Sequence, residues 1–164
     1  MIVFTTGTSE PFDRLVAVAD DVAAACSEPV LVQGGRSACR PRHAAFVDFM
    51  PYDELLRSVS NARAVVAHAG VGSTLVALNQ GRRPFVVPRL RRFGEAVDDH
   101  QLTFARRLHE LGLVHLVENA DDLPRLLAAD RGDALGSVGT GALAFALRDH
   151  LREVIGAPRG GPER

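Results

Sequence analysis

The chain has no lysine. Its 19 basic residues are all arginine, and 20 acidic residues offset them to a formal net charge of -1. A chain so close to neutral has no bulk electrostatic attraction for nucleic acid or for an anionic membrane surface, so we expect no nucleic-acid partner. We attribute the absence of lysine chiefly to compositional bias. It nevertheless leaves planar guanidinium groups, which suit phosphate, as the available cations.

Cysteine is scarce, and targeting signals and long apolar runs are absent. Cys26 and Cys39 show neither metal-ligand spacing nor a disulfide pattern, which fits a reducing cytoplasm. No apolar run approaches the ~20 residues that a membrane-spanning helix needs. Residues 1–6 lack the basic region and cleavage site of a signal peptide, so we expect a strand there. The six histidines have no metal-binding spacing, and no metal site is expected.

The chain offers 164 residues, 46% of them hydrophobic, which suits one domain with a proper core. Apolar runs alternate with helical patterns along the whole length, which predicts an α/β fold with a Rossmann-like parallel sheet and helices on both faces. Predicted strands lie at 2–6, 30–33, 45–49, 63–67, 85–87 and 114–117. Predicted helices lie at 11–26, 52–60, 75–81, 98–111, 121–128 and 141–155. We expect one domain over 1–155 and a disordered tail over 156–164.

The stretch His-Ala-Gly-Val-Gly-Ser-Thr-Leu at 68–75 is the most informative motif. A strand, a glycine-containing turn and a helix N-terminus together form an anion site, because unpaired N–H groups point outward and the helix dipole favours negative charge. Ser73 and Thr74 add hydroxyl donors, and His68 ends the strand. The expected ligand is a phosphate or diphosphate. The spacing is not that of a Walker loop, and taken alone Gly-x-Gly-Ser-Thr would be a plain tight turn.

Other polar residues follow the first predicted strand. Ligands of parallel sheets bind outside the carboxyl ends of the strands, where this turn falls. Gly7, Thr8 and Ser9 form either a second turn facing an anion or acceptor, or an ordinary connection with Ser9 near a helix cap.

The stretch 89–101 is long for a strand-to-helix connection and strongly charged. Its arginines form either a solvated face or a contact for phosphates or a partner. Asp98 or Asp99 suits a helix N-cap, but capping does not call for His100 and Gln101. A glutamine offers both a donor and an acceptor, which suits sugar hydroxyls.

Taken together, these motifs resemble the glycosyltransferase family 28 C-terminal domain, the UDP-sugar-binding half of a MurG-like GT-B enzyme. Within that family the chain most resembles the small free-standing catalytic subunits of two-component enzymes. Those enzymes are of the dolichol-linked GlcNAc transferase or exopolysaccharide glucuronosyltransferase type. The matching stretches keep the same order and spacing and lie at 5–8 with 12–15, 68–74, 81–88, 99–101 and 108–112.

The resemblance implies a role for each matching residue. The diphosphate of a UDP-sugar would be held by His68, Gly70, Gly72, Ser73 and Thr74. The donor hexose would be contacted by Asp99, His100 and Gln101. The cleft would be lined by Gly7, Thr8 and Ser9. The chain departs from the family at Val76, where many relatives carry a glutamate that binds the ribose hydroxyls. Glu95 is a possible substitute, and uridine as the base rests on the resemblance alone.

The implied reaction is inverting transfer of a sugar from a UDP-sugar to a lipid-linked saccharide acceptor. The helix N-terminus near Gly72 would stabilise the diphosphate charge that develops, with no metal or other cofactor required. In two-domain relatives the general base and the acceptor site lie on the other half, so no catalytic residue is assigned here. A separate, membrane-attached acceptor-binding subunit is expected. The chain would then be cytoplasmic, held at the inner face of the membrane by that partner and nearly inactive alone.

Two other functions are possible interpretations of the same residues. A non-catalytic nucleotide-sugar sensor or accessory module is favoured by Val76. A nicotinamide-dependent enzyme is disfavoured because no Gly-x-Gly-x-x-Gly follows the first strand. The predicted helix at 141–155 carries more apolar residues than one buried stripe needs, which suits either a core position or a partner interface.

Overall fold

A computed structural model describes residues 1–132 of the chain. The predicted helix at 141–155, its suggested interface, the predicted tail and the predicted domain limit at 155 lie outside the described residues. The described strands are β1 (Ile2–Thr5), β2 (Val30–Gln33), β3 (Ala45–Val47), β4 (Ala64–His68), β5 (Phe85–Val87) and β6 (His115–Leu116). The described α-helices are α1 (Asp13–Ala25), α2 (Tyr52–Asn61), α3 (Val71–Asn79), α4 (His100–Glu110) and α5 (Leu123–Ala129).

All the strands are parallel, in the order β3-β2-β1-β4-β5-β6. The direction in which strands are added reverses between β1 and β4, because β2 lies on one side of β1 and β4 on the other. Thr5 is in register with both Gln33 and Ala67, so these strands end at the same level. In sheets of this kind the crevice at the carboxyl ends beside the reversal is where ligands bind.

Helices cover both faces of the sheet, and the strands are apolar for that reason. Ile2, Phe4 and Val66 face α1 and α5 in one buried cluster. Val3 and Val65 face α2 and α3 on the opposite side. Burying a large apolar side chain contributes about 1.5–3 kcal/mol each, which makes these two layers the main source of stability.

Several helix N-termini differ from those predicted, although α2 begins at Tyr52 as expected. Helix α3 begins at Val71, not at residue 75, because the Thr74 N–H donates to the Gly70 carbonyl at 3.1 Å and starts the helical ladder. Gly72, predicted in the turn, is therefore helical. Helix α1 begins at Asp13, not at residue 11. Helix α4 begins at His100, two residues later than predicted, and a 3₁₀ turn at Arg91–Phe93 shortens the irregular loop before it.

Helix α3 ends at Asn79, two residues before the predicted end, and Gly81, the glycine predicted to stop it, directly follows its C-cap. Gly81 has φ of +67°, a left-handed conformation that terminates a helix and that glycine adopts without strain. None of the helices in residues 1–132 has the length and apolar character required to cross a bilayer.

Candidate functional site

A groove of about 560 Å³ lies at the carboxyl ends of β1 and β4. It is lined by Thr5, Gly7, Thr8, Ser9, Gln33, Tyr52, Leu55, His68, Gly72, Ser73, Leu75, Val76 and Asn79. The structure thus brings the predicted cleft residues of the first turn together with His68, Gly72 and Ser73. They come from separate parts of the chain and meet because β1 and β4 are adjacent.

The N-terminus of α3 opens into this groove. Gly70 is its N-cap, and no side chain within residues 1–132 caps it by hydrogen bonding. The first N–H groups of the helix, at Val71, Gly72 and Ser73, lack intrahelical acceptors, and the helix dipole adds partial positive charge there. A Cβ atom placed on Gly72 would meet nothing within 4 Å. The turn therefore offers unpaired donors beside open space, which is the geometry of an anion site.

Thr74 has a different surrounding from Ser73. Its side chain is buried, at 1% exposed, and its hydroxyl donates to the Gly70 carbonyl at 2.9 Å. It does not line the groove. The contact holds Gly70 in place at the start of the helix.

His68 is packed between two glycines. A Cβ on Gly7 would lie 2.5 Å from His68 Cε1, and one on Gly70 would lie 2.1 Å from His68 Nε2. Both positions therefore require glycine if the imidazole is to stay where it is. Burial and the nearby positive charge of Arg89 lower the pKa of His68 to about 4, although the Thr5 backbone opposes this shift. The imidazole is neutral at pH 7 in the unliganded chain.

Arg89 is a buried cation that sequence reasoning did not separate from its neighbours. It is 4% exposed, and its guanidinium donates to the carbonyls of Thr6 at 2.5 Å and Glu10 at 2.6 Å. The guanidinium also lies 5.1 Å from the centre of the Phe12 ring. Burial lowers the pKa of Arg89. These contacts fix the turn after β1 against the end of β5.

The predicted sugar-binding residues do not line the groove. Gln101 Oε1 accepts from the backbone N–H of Arg89 at 3.2 Å, and Asp99 Oδ1 accepts from the N–H of Arg91 at 2.9 Å. His100 contacts the carboxylate of Asp98. These contacts order the loop before α4, so the three residues sit beside the groove on a braced segment.

Glu95, the suggested substitute for the missing glutamate, lies elsewhere. Its carboxylate forms a bidentate salt bridge with Arg14, at 2.8 Å for each oxygen, and accepts a hydrogen bond from the Leu90 N–H at 3.1 Å. It lines a different cavity, together with Phe93 and Gly94. Both of its oxygens are engaged with the protein on that side, and Glu95 does not line the groove to which Val76 belongs.

One wall of the groove is apolar and was not anticipated. Val76 does face the groove, together with Leu55 and Tyr52, whose side chain is 63% exposed. Asn79 lies three residues after Val76 on the same face of α3. Tyr52 gave no sequence signal beyond its place at a helix start, whereas Gln33 was detectable as a polar residue that ends a buried strand.

A parallel α/β sheet whose reversal point carries an uncapped helix N-terminus defines a domain of the kind that binds nucleotides or other anions. The family model for the glycosyltransferase family 28 C-terminal domain matches residues 1–133. The chain therefore belongs to this family, as its motifs predicted.

The chain is also similar to two proteins that are named as transferase subunits. The UDP-N-acetylglucosamine transferase subunit ALG13 of Eremothecium gossypii is 31% identical over 138 residues, which cover 82% of this chain and 66% of that protein. The protein of the same name from Yarrowia lipolytica is 29% identical over 124 residues, which cover 66% of this chain and 60% of that protein. The chain thus spans less than two thirds of the length of these relatives.

The fold is shared with solved glycosyltransferases. CalG4, the calicheamicin glycosyltransferase, superposes with a TM-score of 0.57 at 16% identity, over 94% of this chain and 39% of that one. The predicted fold class, a Rossmann-like parallel sheet that forms one half of a GT-B fold, is confirmed by this similarity and by the strand order.

Proposed function

We propose that the groove binds the nucleoside diphosphate of a UDP-sugar and that the chain is the donor-binding subunit of an inverting glycosyltransferase. The observation that carries the proposal is the N-terminus of α3 at the reversal point of the sheet, which no side chain of residues 1–132 caps and which has open space over Gly72. Family membership supports it, and the matched relatives are named as UDP-N-acetylglucosamine transferase subunits.

The role of the groove in this reaction is electrostatic. As the bond between the sugar and the diphosphate breaks, negative charge builds on the leaving diphosphate. The N–H groups of Val71, Gly72 and Ser73 and the dipole of α3 would stabilise that charge without reorganising. Neutral His68 adds a hydrogen-bonding nitrogen at the same level. The proposal includes no metal ion and no other cofactor.

The acceptor side of the reaction is assigned to a second component. The proposal places the general base and the lipid-linked saccharide acceptor on a separate, membrane-attached subunit that holds this chain at the cytoplasmic face of the membrane. The naming of the relatives as subunits supports this division. Gln101, with Asp99 and His100, would reach the donor hexose from the braced loop beside the groove.

Calorimetry with UDP and reconstitution with a partner test the proposal. The purified chain is expected to bind UDP, and co-expression with the product of a neighbouring gene for a membrane-anchored subunit should give a complex that transfers sugar from a UDP-sugar to membrane lipids. A chain that binds no nucleotide would contradict the proposal. A chain that binds UDP but gives no transfer in the complex would instead favour a non-catalytic sensor or accessory module, which the apolar Val76 in the groove also favours.

A further inference from the structure

Three groove-lining side chains carry a buried polar atom that has no hydrogen-bond partner among residues 1–132. One is the imidazole of His68, through Nδ1, and the other two are oxygens, on Thr5 and Gln33. Thr5 is 3% exposed and Gln33 is 4% exposed. Neither Thr5 Oγ1 nor Gln33 Oε1 has a partner among the residues that the structure describes. Native proteins leave few such atoms unsatisfied because each costs stability. An oxygen kept in this state at the wall of a groove is available to a donor group on a ligand.

The two side chains are neighbours on one face of the sheet. Thr5 and Gln33 are paired in register at the last positions of β1 and β2. Side chains alternate along a strand, so Thr5 points to the same face as Val3, which packs against α2 and α3. On this face of the sheet, the apolar layer at Val3 is therefore followed by a polar layer, Thr5 and Gln33, which forms the floor of the groove.

The surroundings of this pair suit a flat, neutral, polar group. Tyr52, Leu55 and Val76 give the same groove an apolar wall, and Tyr52 is 63% exposed. The donors at the start of α3 occupy another part of the groove, next to Gly72. A ligand with its anionic group at α3 would therefore place an aromatic ring with polar edges against this wall.

We infer that Thr5 and Gln33 bind the polar edge of the donor's nucleoside, while Tyr52, Leu55 and Val76 pack against its rings. This inference rests on the proposed function. It assigns residues to the nucleoside, for which the chain lacks the ribose-binding glutamate because Val76 stands at that position. A carboxamide offers a donor and an acceptor side by side, which matches the edge of a pyrimidine base. The pair is therefore a determinant of nucleotide specificity.

Isosteric replacements in the full chain separate ligand binding from folding. Thr5→Val and Gln33→Met should each weaken UDP binding by about tenfold, as for one lost hydrogen bond. Inorganic pyrophosphate, which lacks a nucleoside, should bind both variants as it binds the wild type. Without ligand, each variant should melt about 2–4 °C higher, because a buried unsatisfied oxygen has been removed. A residue that only supports the fold would lower the melting temperature instead.

Two matched variants serve as controls. Thr5→Ser keeps the hydroxyl and should keep UDP affinity. Thr6→Val removes a neighbouring buried hydroxyl that does have a partner, the Gln33 carbonyl at 3.3 Å, so it should lower the melting temperature and leave UDP affinity unchanged. Unchanged UDP affinity in both Thr5→Val and Gln33→Met would overturn the inference, as would equal losses for UDP and pyrophosphate. If the wild-type chain bound no UDP, the proposed function would fail, and this inference with it.

Discussion

The start of α3 and the loop before α4 are both strand-to-helix connections at the same edge of the sheet. They differ in whether their polar groups are bonded to the protein. At 70–73 the backbone N–H groups open onto the groove, and no side chain of the described residues caps them. In the loop, Glu95 pairs with Arg14, and Gln101 accepts from the backbone of Arg89. One connection is left unsatisfied, and the other is bonded to the protein itself.

The difference separates binding groups from bracing groups. A group already bonded to the protein must give up that bond before it binds a ligand, and a typical hydrogen bond contributes about 0.5–1.5 kcal/mol. The turn at 70–73 has no such cost. Arg89 links the braced loop to the turn after β1, because its guanidinium reaches the carbonyls of Thr6 and Glu10.

Removing Arg89 should produce the largest effect, because it breaks the braced region at its centre. Arg89→Met leaves the buried carbonyl of Thr6 and the partly buried carbonyl of Glu10 without their donor, and we expect the free energy of unfolding to fall by about 3 kcal/mol. Urea denaturation measures this. Arg91→Met, at an exposed arginine two residues later, should change the stability by no more than about 0.5 kcal/mol. Equal effects of the two changes would show that the buried contacts do not brace the loop.

His68 should make the stability of the chain depend on pH. Its pKa is about 4 in the folded chain, against 6.5 for an unperturbed imidazole, so the unfolded chain binds the proton first. Stability is therefore fully present above pH 6.5 and is lost as pH falls toward 4, by about 3 kcal/mol at most. The Asp20 carboxyl, with its pKa lowered to about 2 chiefly by backbone N–H donors, loses its contribution only at lower pH.

Urea denaturation between pH 7 and pH 4 isolates the contribution of His68 when His68→Gln is measured in parallel. All other ionisable groups are the same in both proteins, so the difference in slope belongs to His68. Identical slopes would mean that the imidazole is not held in its neutral form by burial and by Arg89.

Most of the fold was predictable because each strand is a compact apolar run and each connection contains turn residues. Val30–Gln33 and Phe85–Val87 were predicted to the residue. The start of α3 was missed because Gly72 and Ser73 are poor helix formers, and local propensity gave no sign that the Gly70 carbonyl would accept from Thr74. Tertiary position overrode propensity there.

The site was predictable only where a turn motif marks it. The glycine turns identified the groove lining around His68. Contacts between residues that are distant in the sequence, however, depend on which strands become neighbours. Arg89 looks like Arg91 and Arg92 in the sequence, and only the adjacency of β5, β4 and β1 makes it a buried brace. Gln33 was marked as a polar residue that ends a buried strand, but Thr5 was not marked, and only their register places both at the groove.

Changing the open turn should weaken ligand binding without unfolding the chain. In Gly72→Val with Ser73→Ala, the added Cβ meets no atom within 4 Å, so the valine is expected to extend into the groove and block it. We expect UDP affinity to fall by about a hundredfold, equivalent to two lost hydrogen bonds to a charged group. Calorimetry and a melting curve measure the two properties. A folded double variant with wild-type affinity would remove the basis for an anion site at α3.

Gln101 should give the smallest effect and refine the comparison most. It belongs to the braced loop, yet it is proposed to contact the donor hexose. Gln101→Ala should weaken binding of the correct UDP-sugar by about fivefold, near 1 kcal/mol, and leave UDP itself unaffected.

Glu95→Gln is the matched control: it breaks the half-buried pair with Arg14, so it should lower the stability by about 1 kcal/mol and leave both affinities unchanged. If Gln101→Ala behaved as the Glu95 variant does, Gln101 would be a bracing residue only. Equal losses for UDP and the UDP-sugar would place it outside the hexose pocket.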